Sequence, residues 1–172
     1  MRPFFVSVNN MNITTKRLTL WAVTAALYTA VTLVTASFAY GPVQFRVAEA
    51  LSVLCCFAPH MTVGITLGCF LANVFSTVSA LDMVVGTSAT LLACLLMSKC
   101  RRPVTMVLPN ILCNAVLVGA MLGYVLTPDA FWQGFLLNGL QVAVGELAVM
   151  VLLGVPLFLF LKRSNRVRNL FQ

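Results

Sequence analysis

The chain has 172 residues, of which 60% are hydrophobic and only 9% charged. A soluble domain carries roughly 25% charged residues, so the composition excludes an ordinary soluble protein and points to one domain, 1–172, embedded in a membrane. The formal charge of +7 does not indicate a nucleic-acid partner, because the bases sit in short clusters between apolar runs, the pattern that orients membrane proteins.

Residues 1–17 read as a polar cytoplasmic segment. Lys16 and Arg17 precede an apolar run that is too long for a signal-peptide core and lacks a cleavage site. That first run, about 18–40, is long enough to span a bilayer as a helix. Ala22, Ala26 and Ala30 recur along it every fourth residue, a small-residue stripe that admits a close helix neighbour. Spacing alone leaves open whether that neighbour lies inside the bundle or on a separate membrane subunit.

The stretch from Gly41 to Leu51 places Gln44, Arg46 and Glu49 together, in a chain that otherwise keeps charge out of its apolar runs. Charge in or near hydrocarbon is costly and calls for a partner, a wet cavity or a function. Arg46 and Glu49, three residues apart, are placed to pair with each other; they are equally placed to line a small-molecule site.

The second apolar run, about 45–59, is short, and the positive-inside rule decides its course. If it crosses, six helices result with both termini inside, and every base except Arg46 falls on the cytoplasmic side. If it does not cross, parity flips and the bases after it are stranded outside. His60 then occupies the inner turn, where a surface role is expected.

The third run, about 61–77, carries Gly64 and Gly68, a G-x-x-x-G close-packing face, and Asn73 in its outer half. Asp82 follows an outer break, where it suits either a helix N-cap or a ligand contact. The fourth run, about 83–97, holds Gly86, Thr87, Ser88 and Thr90, suited to tight packing or a polar lining. Lys99, Arg101 and Arg102 form an inner loop, and Pro103 suits the first turn of the fifth helix.

The fifth run, about 104–126, contains Pro109, Asn110 and Asn114; Asn110 is placed to satisfy carbonyls freed by Pro109. The sixth, about 131–161, holds Asn138, Gln141, Gly145 and Glu146, a polar stripe that must face protein or water. A basic tail, 162–172, ends the chain inside.

The embedded polar set is therefore Gln44, Arg46, Glu49, Asn73, Asp82, Asn138, Gln141 and Glu146. Carboxylates and amides together suit a planar heterocycle, since one accepts paired N–H groups and the other both donates and accepts. Phe45, Phe70, Phe75 and Phe131 are available as walls, although each serves equally as lipid-facing bulk. The six cysteines show no metal-ligand spacing, and neither a metal nor a catalytic constellation is indicated. With no phosphate-binding loop either, uphill transport driven by ATP would need another chain to hydrolyse it. An enzyme is not expected.

Six helices in this length, an alanine stripe on the first and no ATPase motif resemble the substrate-binding S-components of energy-coupling-factor (ECF) transporters. The segment Gly41-Pro42-Val43-Gln44-Phe45-Arg46-Val47-Ala48-Glu49-Ala50-Leu51 resembles the G-x-V-Q-x-R-x-x-E-A-L signature of the QueT family. The segments from Gly64 to Asn73 and from Asp82 to Leu91 are similar to its third and fourth helices. The resemblance implies an all-α bundle of six transmembrane helices in the cell membrane, with cytoplasmic termini. It implies import of a queuosine precursor, a 7-deazaguanine such as preQ0 or preQ1; the chemistry of such a ligand then suits Glu49 and Glu146 for ring or amine recognition, with Asn138 and Gln141 fixing orientation. It further implies a transmembrane coupling protein docked on Ala22, Ala26 and Ala30, and two ATP-binding subunits; no cofactor is implied in this chain. The alternatives are an S-component for another vitamin or small heterocycle, and a structural membrane subunit that binds no solute.

Overall fold

The structure, a computed structural model, describes residues 15–39, 44–76 and 80–164. Residues 1–14 of the expected N-terminal segment, Gly41, Pro42 and Val43 of the signature, the outer break at 77–79 and most of the basic tail, 165–172, lie outside the described residues. Among the described residues every regular element is helical.

Helix α1 spans Thr15–Val34, with a short α2 at Ala36–Ala39. The second segment is a 3-10 helix, Val47–Val53, continuing into the single α-turn α3, Leu54–Phe57. Then follow α4 (Met61–Asn73), α5 (Ala80–Met97), α6 (Pro103–Leu126) and α7 (Phe131–Val149). A π-helical turn, Met150–Gly154, joins α7 to α8 (Val155–Arg163). Among the described residues four stretches are long and apolar enough to cross a membrane: α1, α5, α6 and the continuous Pro128–Arg163; Val47–Phe57 and Met61–Asn73 are shorter apolar helices.

Helices α1, α4, α5, α6 and α7 pack as neighbours in that order, and they enclose the segment 47–57, which touches α1, α4, α5, α7, α8 and the π turn. Its position explains its form. Protein surrounds it, so a tighter, less regular backbone finds its polar partners within the bundle. Ser52 Oγ donates to the carbonyl of Glu49, three residues back, at 2.6 Å, a local bond that favours the 3-10 pitch. The segment also runs the length of the bundle. At one end Arg46 meets Asp82 near the start of α5. At the other, Arg101 Nη1 donates to the Cys56 carbonyl at 2.8 Å and Trp21 Nε1 donates to His60 Nδ1 at 3.1 Å. His60 is thus half-buried against α1 and not the surface residue expected at that turn.

Glycines set the close approaches. A Cβ on Gly68 would lie 2.7 Å from Tyr28 Cβ and 2.8 Å from the Ala25 carbonyl, and one on Gly64 would lie 2.9 Å from Trp21 Cα. The G-x-x-x-G face therefore carries α4 onto α1. An equivalent pair that the sequence reading passed over, Gly119 and Gly123, brings α6 onto α7: a Cβ on Gly119 would lie 2.6 Å from Gly139 Cα.

Proline shapes the other helices. Pro103 opens α6 in its first turn, where its missing N–H costs nothing. Pro109, inside α6, cannot donate to the Thr105 carbonyl; Cys100 Sγ, 3.2 Å away, does so instead. Asn110 is therefore released from the compensating role expected of it. Pro156 in turn cannot follow an unbroken α-helix, and the π turn immediately before it absorbs the misfit.

Candidate functional site

The polar residues of the second segment sit at the centre of the bundle because the segment does. Gln44 and Arg46 are each 2% exposed and Glu49 is fully buried. Arg46 does not take up the local pairing with Glu49 that the spacing allowed. Its Nη2 reaches across to α5, 3.1 Å from Asp82 Oδ2 and 3.3 Å from Oδ1. Ser76 Oγ donates to the same Oδ2 at 2.7 Å. Asp82 is not an N-cap: α5 begins at Ala80, which puts Asp82 in the first turn and turns its carboxylate inward. Gly86, one turn on, leaves the room. A Cβ there would lie 2.7 Å from Asp82 Oδ1 and 2.9 Å from Asn73 Nδ2.

From this ion pair a chain of polar contacts runs inward. Asn73 Nδ2 donates to the Asp82 carbonyl at 3.1 Å and lies 3.4 Å from Cys69 Sγ. Cys69 Sγ lies 3.3 Å from Thr90 Oγ1, which donates to Glu49 Oε1 at 2.9 Å. Tyr28, on α1, donates its hydroxyl to the same oxygen at 2.6 Å. Glu49 is thus held by hydroxyls from two different helices. Helix α7, which carries Glu146, and the π turn after it pack on the second segment. Glu146 Oε2 accepts from Asn110 Nδ2 at 2.7 Å, and Asn114 Nδ2 in turn donates to the Asn110 carbonyl at 3.1 Å.

Several polar atoms in this group are buried without a hydrogen-bond partner: Gln44 Nε2, Glu49 Oε2, Asn73 Oδ1 and Asn110 Oδ1. Each such group costs about 1–3 kcal/mol if nothing satisfies it. Gln44 also has φ of 47°, a left-handed conformation that costs a non-glycine residue about 1–2 kcal/mol. Buried unsatisfied polar atoms and a strained backbone are features of a site shaped for something other than its own stability.

Not every expected residue joins the group. Gln141 is exposed. At 100° per residue it lies about 140° around the helix from Glu146, on the opposite side of α7 from the buried face of Gly139, Val142 and Glu146. Asn138 is half-buried and donates to the carbonyl of Gly134 on its own helix at 2.8 Å. Phe70 and Phe75 are 40% and 60% exposed and point outward, and Phe131 stacks with Phe135. The surface grooves lined by Thr66, Leu67 and Phe70, by Pro156 and Phe160, and by Val107 and Ile111 include none of Gln44, Glu49 and Glu146. Conversely, Tyr28, Cys69 and Asn110 belong to the group although sequence reading did not select them. Tyr28 shares a helical face with Trp21, Thr24, Ala25 and Thr32, all buried, and that spacing was the available signal. Ala22, Ala26 and Ala30 lie off that face and are exposed, so they do not pack inside this bundle.

Comparison with known proteins agrees with the sequence resemblance. The family model described as QueT transporter matches residues 18–163. A protein of Lactococcus lactis subsp. cremoris (strain MG1363) named "Queuosine precursor transporter QueT" is 36% identical over 72 residues, 41% of this chain. The matched region spans 42% of that relative's length. No solved structure gives a significant match. With its apolar spanning helices and a family match over nearly the whole bundle, this chain is a multi-pass membrane protein that belongs to the QueT transporter family.

Proposed function

We propose that this chain is the substrate-binding S-component of an ECF-type importer in the cell membrane, and that it takes up a queuosine precursor, a 7-deazaguanine such as preQ0 or preQ1. The observation that carries the proposal is the set of buried, unpartnered atoms: Gln44 Nε2, Glu49 Oε2, Asn73 Oδ1 and Asn110 Oδ1. A guanine-like edge offers adjacent N–H groups to a carboxylate, the role of Glu49, and a ring carbonyl to an amide donor, the role of Gln44. Arg46 and Asp82 hold the second segment against α5 beside that set. Glu146, oriented by Asn110, supplies the second carboxylate. Asn138 and Gln141 have no place in this recognition set. The name of the Lactococcus lactis relative supports the substrate class.

Six crossings with both termini cytoplasmic are part of the same proposal. The second segment supports it by running from Asp82 at one end of the bundle to Arg101 at the other. The seven 3-10 residues and the four of α3 rise about 20 Å, about two-thirds of a hydrocarbon core of about 30 Å. The exposed face of Ala22, Ala26 and Ala30 is where a transmembrane coupling protein docks, and two ATP-binding subunits energise the complex. Isothermal titration of preQ0 and preQ1 into the purified chain tests the substrate. Glu49→Ala is expected to abolish binding, and unchanged affinity would reject the assignment.

A further inference from the structure

We infer that two copies of this chain associate in the membrane through α7, Gln141 of each donating to and accepting from Gln141 of the other about a two-fold axis along the membrane normal. The inference concerns the outer surface of the bundle and is independent of the solute. Gln141 is exposed on α7, within the continuous apolar stretch Pro128–Arg163. Trp132, exposed in the first turn of α7, and Lys162, exposed in the last turn of α8, suit the two interfaces of a bilayer. The helix between them rises about 45 Å, the thickness of a bilayer with its headgroup layers. Gln141 lies about 14 Å along that rise from Trp132, below the headgroups and inside the hydrocarbon.

An unpaired amide is costly there, and exposed hydroxyls elsewhere on the bundle show how such a cost is avoided. Thr19 donates to the Thr15 carbonyl at 2.9 Å, Ser88 to that of Val84 at 2.7 Å and Thr105 to that of Arg102 at 3.0 Å. Asn138 does the same to Gly134 at 2.8 Å. Gln133, beside Trp132, is level with headgroup water. Gln141 has neither outlet: it makes no hydrogen bond among the described residues.

Lipid tails cannot satisfy the amide, so what covers it is protein with a matching group at the same depth. A second copy supplies that group by construction. Copies in one membrane share an orientation, and rotation about the normal brings Gln141 to Gln141 at equal depth. An amide both donates and accepts, so the pair satisfies itself with two reciprocal hydrogen bonds. The neighbours suit a helix pair. Leu137, Gln141, Val144 and Ala148 succeed one another at spacings of four, three and four, the seam of a two-stranded coiled coil. Leu137 and Val144 are exposed and Ala148 is half-buried. A single polar residue in such an apolar seam fixes the register of the two helices.

Full-length chains carrying a donor or an acceptor fluorescent protein at the C-terminus are reconstituted together in liposomes of phosphatidylcholine and phosphatidylglycerol, and energy transfer is followed as added lipid dilutes them. The expected result is saturable association of the wild type that weakens by about tenfold in Gln141→Leu, equivalent to about 1.4 kcal/mol. In a second measurement, Val144→Cys is oxidised in native membranes with copper phenanthroline. It is expected to give a cross-linked dimer above the background of the native cysteines, whereas Leu92→Cys, exposed on α5, is not. Cross-linking decides the question by itself if Gln141→Leu does not fold, which size exclusion reveals. Energy transfer no greater than random proximity gives overturns the inference and assigns Gln141 to a different membrane protein. Association unchanged in Gln141→Leu, or Leu92→Cys cross-linking as well as Val144→Cys, also overturns it, because the copies then meet elsewhere.

Discussion

Removing Asp82 tests the central contact of the bundle. In the folded protein its carboxylate receives Arg46 Nη2 at 3.1 and 3.3 Å and Ser76 Oγ at 2.7 Å. Asp82→Ala deletes all of these and leaves a guanidinium that is only 2% exposed without its counter-ion. Breaking a buried pair from one side costs about 3–5 kcal/mol, because the surviving charge stays desolvated. At about 2–4 °C per kcal/mol for a chain of this size, the melting temperature of the purified protein should fall by about 6–20 °C. Arg46→Met should cost about as much, for the mirror-image reason. The double variant Arg46→Met/Asp82→Leu leaves no orphaned charge and should recover most of the loss, since replacing both partners with apolar groups is often near neutral. Gly86→Ala perturbs the same pair sterically, its Cβ falling 2.7 Å from Asp82 Oδ1, and should lower stability without changing any charge. Thermal unfolding in detergent followed by size exclusion measures all four. A drop of less than about 2 °C for Asp82→Ala, or a double variant no more stable than the single ones, would show that the pair is not what ties the second segment to α5.

Other contacts give independent expectations. Gly68→Ala drives a Cβ to 2.8 Å from the Ala25 carbonyl, so α4 must separate from α1; the loss should be about 1–3 kcal/mol, read from the same melting assay. Tyr28→Phe removes the 2.6 Å bond to Glu49 Oε1; a hydrogen bond to a charged group contributes about 1.5–3 kcal/mol, and weaker ligand binding with the fold retained should show in titration. Ala26→Trp alters an exposed position, so stability should change by no more than about 0.5 kcal/mol. If the stripe docks a coupling subunit, that variant binds ligand normally in isolation but no longer supports uptake in cells; normal uptake would remove the stripe from the interface.

Much of the architecture was legible in residue order because it depends on local regularities. Apolar runs of bilayer length mark α1, α5 and α6, and Pro103 marks where α6 begins. Gly64 and Gly68, four apart, announce a face on which a helix can approach closely, and that face packs on Trp21, Ala25 and Tyr28. Polar and charged side chains placed within an apolar context singled out Gln44, Arg46, Glu49, Asp82 and Glu146, all of them buried.

Which buried group meets which was not legible, because it depends on how helices far apart in sequence are set side by side. Spacing offered Arg46 a neighbour at Glu49, but docking on α5 supplied Asp82, and Glu49 turned to Tyr28 and Thr90. Pro109 suggested local work for Asn110, yet Cys100 serves the freed carbonyl and Asn110 donates to Glu146 on α7. A polar stripe on α7 seemed to include Gln141, but the helix buries the side defined by Gly139, Val142 and Glu146. The sequence by itself determined which stretches are long and apolar enough to cross a membrane and which polar side chains the bundle buries, since both follow from the cost of taking polar groups out of water. The tertiary structure alone decided the partners, because ion pairs and hydrogen bonds act over a few ångströms and only the packing of the helices brings those atoms within reach.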